Sequence, residues 1–175
     1  MNTTQFYQDL EYSLPKSSAS DRKIWAAKII DDNIEVKNLC HLLLCKEDVA
    51  SRFLWLLGEL GEIQPTKLFP ALPHLLTLNS GIYHIRTEAS FAKFWLLCGI
   101  PLENEGVAID LLFGWIQSPN CNVTTKSRSL FVLFKMTEKY PDLKNELRLC
   151  LEEQLHKNTM DFDKRAKKLL AKLAH

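Results

Sequence analysis

The sequence predicts an all-α protein, built as a short right-handed α-solenoid of antiparallel helix pairs. Three observations predict it. The first is a phrase that returns: a basic residue opens an apolar helix, and a proline closes it. Ser51-Arg52 leads into Phe53-Leu54-Trp55-Leu56-Leu57 and reaches Pro65 thirteen residues after the arginine. Ser127-Arg128 leads into Leu130-Phe131-Val132-Leu133-Phe134 and reaches Pro141, again thirteen residues on. Between them, Ile85-Arg86 leads into Phe91-Ala92 and Phe94-Trp95-Leu96-Leu97, with Pro101 fifteen residues on. A shorter copy stands at Lys164-Arg165-Ala166. Arg52, Arg86, Arg128 and Arg165 are 34, 42 and 37 residues apart, a period that marks stacked helical repeats. The second observation is apolar spacing at helical rather than alternating intervals. The third is scarce glycine, six in 175 residues.

Each element follows from local signals. A first helix is expected over 4–12, with Phe6, Leu10 and Leu14 as its apolar stripe; Pro15 and the following serines break it. Ser20 is the expected cap of a second helix over 21–30, carrying Ile24, Trp25, Ala27 and Ile30. Asp32 with Glu35 three residues on reads as a capping box. It would open a third helix over 35–44 through Val36, Leu39, Leu42, Leu43 and Leu44. Cys45-Lys46 turns into a fourth, 47–62. Gln64-Pro65 ends it, and a fifth runs over 66–78, where Pro73 should kink the axis. Asn79-Ser80-Gly81 is a turn before a sixth helix, 82–98. A seventh over 103–117 turns Val107, Leu111, Leu112, Trp115 and Ile116 inward. Ser118-Pro119-Asn120 breaks it, and Asn122 caps the eighth, 123–139. Pro141 opens the ninth, to 156, and a last helix covers 161–174. The chain reads as one domain, 1–175: an N-terminal cap, 1–34, then helix pairs 35–62, 66–98, 103–139 and 142–174.

These pairs resemble the HEAT repeat family of armadillo-type superhelices. Ile85-Arg86-Thr87-Glu88-Ala89 fits the family's opening of the second, or B, helix: an apolar residue, Arg, two variable residues, Ala. Leu68-Phe69-Pro70-Ala71-Leu72-Pro73-His74-Leu75-Leu76 is similar to its A-helix, with paired leucines around proline. The aspartate usual in the turn before the B-helix has no counterpart ahead of Arg86. The resemblance covers about 35–174. It implies a concave face lined by B-helices, with Arg52, Arg86 and Arg128 near the starts of successive ones.

Composition excludes several function classes. The net charge is +1, so nothing global favours nucleic acid or an anionic membrane. The charge is uneven: residues 1–88 are net −2 and residues 89–175 net +3. The basic helix over 161–174 holds that excess. Its lysines suit a terminal repeat that needs a polar outer face. Cys40, Cys45, Cys98, Cys121 and Cys150 are odd in number and contain no CxxC, so they read as reduced thiols of a cytoplasmic protein. No apolar run reaches the ~18–20 residues a membrane span needs. His41, His74, His84, His156 and His175 show no metal spacing, and neither metal nor cofactor is expected. The phosphate-loop, dinucleotide and nucleophile-elbow motifs are absent. So is the Ser-Ser-x-Met-Pro-x-Lys signature of the adenylosuccinate lyase family: Met1, Met136 and Met160 have no such neighbours.

The expected function is therefore non-catalytic: a scaffold that binds a partner protein's helix or peptide on the concave face. Arg52, Trp55, Glu59, Arg86 and Arg128 are the candidate contacts. Asp48, Arg52, Trp55, Glu59 and Glu62 form one helical stripe, opposite the core face of Val49, Phe53, Leu56, Leu57 and Leu60. A tryptophan among four charges needs cover from the adjacent helix pair, which is the expectation, or else anchors a partner. The alternative function is nucleic-acid binding. HEAT-like DNA glycosylases hold DNA in a basic groove with aromatic contacts and a catalytic carboxylate, and Trp55, Trp95, Trp115 and the three arginines are of those types. The acidic N-terminal half disfavours it.

Overall fold

The computed structural model describes residues 2–174, which leaves Met1 and His175 outside the description. Those residues form ten α-helices joined by short 3₁₀ segments, with no strand among them. Helix α1, Thr3–Ser13, starts at Asn2, whose side chain accepts a hydrogen bond from the Thr4 amide at 3.0 Å. It buries Phe6 and Leu10, and Leu14 follows in the 3₁₀ turn Leu14–Lys16.

Helix α2, Ala19–Asp31, is capped by Ser18 and not by Ser20. Ser18 Oγ accepts from the Asp21 amide, and the Asp21 carboxylate accepts from the Ser18 amide. That reciprocal box needs an acid three residues after the cap, which only Ser18 has. The stripe predicted for this helix is rotated: Ala26 and Ile29 are buried, while Ile24 and Ala27 face outward. The helix closes with Asn33 in the left-handed region (φ 48°). The Ile34 amide donates to Ile29 O at 2.9 Å and the Asn33 amide to Ile30 O at 3.0 Å. This is a Schellman closure, and its apolar contact joins Ile29 and Ile34, both buried. It uses residues 31–34 to end α2, so the capping box expected at Asp32 and Glu35 does not form. The following segment, Val36–Leu44, is 3₁₀ rather than α, and exposes Leu44.

Helix α3, Glu47–Ile63, buries Val49, Phe53, Leu56, Leu57 and Leu60, the face its periodicity predicts. The helix expected over 66–78 is broken into α4 (Pro65–Leu68), a 3₁₀ turn (Phe69–Ala71) and α5 (Leu72–Asn79). Pro70 and Pro73 each remove an amide donor and crowd the preceding turn, which one continuous helix cannot absorb twice. The helix expected over 82–98 is shorter. Gly81 and Ile82 close a turn on Leu78 and Asn79, Ile82 is buried, and helix α6 begins only at Glu88–Cys98, with Thr87 as its cap residue.

Helix α7, Glu105–Gln117, follows a 3₁₀ turn, Leu102–Asn104. It buries Leu112 and Ile116, but Val107 faces solvent, contrary to the inward position predicted for it. Helix α8, Val123–Lys139, is capped by Asn122, whose side chain accepts from the Thr125 amide at 2.8 Å, as predicted. Helix α9 (Leu143–Gln154) and α10 (Met160–Leu173, capped by Thr159) complete the order. The predicted ninth helix stops short of 156: Leu155 turns out of the helix (ψ 138°) and His156 is in the left-handed region (φ 65°).

Helices α2, α3, α6, α8 and α10 touch one another in chain order. The 36–44 segment packs on α3, α4 on α3 and α6, α7 on α8, and α9 on α8 and α10. One apolar core joins these elements, from Phe6 to Leu169. Trp95 and Trp115 stack inside it, ring centres 5.8 Å apart.

Candidate functional site

The site is built on α3. Position 55 lies opposite the buried face, and no helix covers it: Trp55 is 52% exposed. The expected cover by an adjacent pair is absent because α2 and α6 bring long polar side chains, not apolar ones, to this edge of α3. The Arg22 guanidinium of α2 sits 5.2 Å from the Trp55 ring centre and that of Arg52 5.6 Å. Both distances permit cation–π attraction.

Both arginines also donate to one acceptor. The Ser17 carbonyl, just before the α2 cap, accepts from Arg22 Nη1 at 3.0 Å and from Arg52 Nη1 at 2.7 Å. No carboxylate lies within ion-pair distance of either guanidinium among the described residues. Across the α3–α6 groove, Lys93 of α6 pairs with Glu62 at 2.6 Å. Arg128 of α8 donates to the Ala89 carbonyl at the start of α6, at 3.0 Å. Arg22, Trp55, Glu59, Lys93 and Arg128 thus line one cleft of about 280 Å³, floored by Leu54, Gly58 and Phe94.

Arg52, Trp55, Glu59 and Arg128 are therefore brought around one groove, as two adjoining clefts share Trp55. Arg86 is not among them. It lies before α6, bonded to Glu88 and to the Asn120 carbonyl, and lines a separate small cleft with Cys121 and Asn122. The Arg-to-Pro phrase predicts it in register with Arg52 and Arg128, but Arg86 precedes the cap of its helix while the other two follow theirs. Counting from the cap residues gives another register. Arg52, Lys93, Arg128 and Arg165 each stand six residues after Lys46, Thr87, Asn122 and Thr159. Three residues further on, one turn along the same face, are Trp55, Leu96 and Phe131, exposed by 52%, 42% and 37%.

Sequence reasoning missed Lys93 and Arg22. The cap residues Thr87, Asn122 and Thr159 were the signal that could have found Lys93. Arg22 had no such signal: only the α2–α3 packing brings its side chain to Trp55.

Glu105, at the start of α7, accepts from Lys139 Nζ at 2.7 Å and from the Tyr140 hydroxyl, tying α7 to the end of α8. Burial pushes every thiol up, Cys40 to about 12 and Cys98 and Cys150 to about 11. Cys45 and Cys121 move in the same direction for the same first cause. Thiols so shifted hold little thiolate at neutral pH and make poor nucleophiles. No three His, Cys, Asp or Glu side chains gather as a metal site among the described residues. No helix there is long and apolar enough to cross a membrane. In comparisons with known proteins, no family model, no curated protein and no solved structure matches the chain.

Proposed function

We propose that the protein is a non-catalytic, cytoplasmic binding module, a short right-handed solenoid of HEAT-like pairs whose α2–α3–α6–α8–α10 face captures a partner protein. The observation that carries this is Trp55: a large aromatic, half exposed, set between guanidinium groups on the face where B-helices would line a groove. Leu96 of α6 and Phe131 of α8, at the matching positions after their caps, are exposed as well. Tryptophan and arginine are the side chains that most often dominate interface energies. The in-order packing of those five helices supports the solenoid reading. Comparison of proteins retained by the wild type and by Trp55→Ala tests it. A partner retained only by the wild type, with both proteins equally folded, is the expected result; identical profiles would remove the reading.

A second reading has one observation in its favour. Glu59 shares the cleft with Trp55 and Arg128, the residue types a base-excision site uses. Against it, Glu47, Asp48, Glu59 and Glu62 put four carboxylates on α3 itself, which repel a phosphate backbone. Anisotropy with a labelled duplex containing an alkylated base tests this reading.

A further inference from the structure

We infer that the cleft between α3 and α6 is a carboxylate-binding subsite, taking an Asp or Glu side chain from an acidic segment of the partner. The inference rests on the partner-binding reading above and gives that partner its chemistry.

The first support is unspent donor capacity. A guanidinium carries five N–H groups. Arg22, Arg52 and Arg128 each hydrogen-bond through Nη1 alone, and only to Ser17 or to a backbone carbonyl. In each case the Nε/Nη2 edge makes no hydrogen bond among the described residues. That edge is a parallel fork, the geometry that grips a carboxylate through two bonds. In Arg22 the matter is acute. The residue is 9% exposed, and its Nε is buried without an acceptor. A buried donor left unpaired is destabilising, and a carboxylate gripping the fork would supply its acceptor.

The second support is charge. Two guanidiniums share one neutral carbonyl, and the attraction of an indole face is modest beside like-charge repulsion. An anion in the cleft, against Arg22, offsets that repulsion. The cleft's charges fix how large the anion is. Lys93 is already paired with Glu62. Glu59 offsets one of the remaining cations lining the cleft, Arg22 and Arg128. One unit of positive charge is left over, which a single carboxylate matches. A dianionic phosphate would overshoot it and meet Glu59. Trp55 beside the fork supplies the apolar wall for the residues flanking the acid.

The test is selection of a displayed library of random 16-residue peptides on the full-length protein, counter-selected on Trp55→Ala. Enriched peptides should carry Asp or Glu beside apolar residues. Replacing that acid by its amide should weaken binding at least tenfold. In the ¹⁵N-labelled wild type, the Arg22 Nε–H resonance should shift on adding the acidic peptide, a readout that needs no variant to fold. Arg22→Met, checked for its circular dichroism spectrum, should lose the discrimination between acid and amide. Enriched peptides without acids, or amide forms binding within twofold, overturn the subsite while the partner reading stands. An empty selection removes the partner reading and the subsite together. Tighter binding of a phosphoserine form, or of a 16-nucleotide single strand, would also overturn it.

Discussion

Arg22 and Arg52 converge on one acceptor, the carbonyl oxygen of Ser17, from two different helices. The geometry ties the start of α2 to the second turn of α3. It does so at the cost of holding like charges together with no carboxylate in reach among the described residues. Replacing a buried, poorly compensated charge by an apolar side chain of similar length is often neutral or stabilising. Arg22→Met is therefore expected to leave the urea midpoint unchanged or raise it, because Arg52 still satisfies Ser17. Arg52→Met should behave alike, with Arg22 retained. The double variant should lose stability, since the Ser17 carbonyl then has neither donor. A chemical-denaturation cycle over the four proteins reads the coupling directly.

The two tryptophans, 55 and 95, make a matched pair for separating surface from core. Trp95 is 2% exposed and stacks on Trp115. Trp95→Ala should cost about 3–5 kcal/mol, as for other core aromatics, and lower the melting temperature by roughly 10 °C or more in a chain of this size. Trp55→Ala removes a half-exposed ring and two cation–π contacts. Its cost should stay within about 1 kcal/mol, and the melting temperature within a few degrees. Thermal melts of the two variants against the wild type check both halves. An equal, large loss for Trp55 would mean its ring is structural.

How far the fold could be read from the residues depended on what each signal measures. Apolar periodicity reports burial along one helix, so the core face of α3 and the existence of the helices were legible. Asn122 was legible as a cap because its side chain acts on amides three residues away. Local competition between signals was not. Asp32 and Glu35 have the spacing of a capping box, but Asn33 and Ile34 had already been claimed by the closure of α2. The prolines at 70 and 73 were visible, yet the sum of two small breaks, not either alone, splits the helix. The site was legible only in part for the same reason. Arg52, Trp55 and Glu59 share one helix and could be read as a stripe. Arg22 and Lys93 reach Trp55 and Glu62 from other helices, and that depends on how far each helix slides along its neighbour. Arg86 shows the converse error: a motif in the right order whose helix starts only after the arginine, with Thr87 as its cap, where Arg52 and Arg128 each stand six residues past theirs.

Stability toward acid should depend on Glu105. Lys139 and then Tyr140, both hydrogen-bonded to its carboxylate, hold it below the ordinary carboxylate range. A group whose folded value is depressed adds stability that is fully present above its unfolded value, about 4.3 for a glutamate. That stability is lost as the pH falls through the lower folded value. Glu105→Gln should therefore be less stable than the wild type at neutral pH, with the difference shrinking below pH 4. Urea titrations from pH 3 to 7 show whether the two curves converge at the acid end. Parallel curves over the whole range would assign the acid sensitivity to other carboxylates.

Gly58 and Gly61 on α3 should respond to alanine with opposite signs, although each is buried and three residues apart on one helix. Glycine inside a helix costs about 0.8–1.0 kcal/mol relative to alanine, so either substitution starts with a gain of that size. What opposes it differs. A Cβ at Gly58 would meet only the end of the Lys93 side chain, with Nζ at 3.2 Å. That flexible stem can move aside, giving up a partly exposed pair with Glu62, and such pairs are worth about 0.2–1 kcal/mol. A Cβ at Gly61 would stand 3.1 Å from Leu68 and 3.3 Å from Leu97. Leu68 is fully buried where α4 packs on α3, so its side chain has little room to retreat, and overpacking of this kind costs about 1–3 kcal/mol. Gly58→Ala is expected to be neutral or more stable by up to about 1 kcal/mol, and Gly61→Ala less stable by up to about 2 kcal/mol. Denaturant midpoints of the two variants decide it. A stabilised Gly61→Ala would mean that the α3–α4 contact is looser than its distances state.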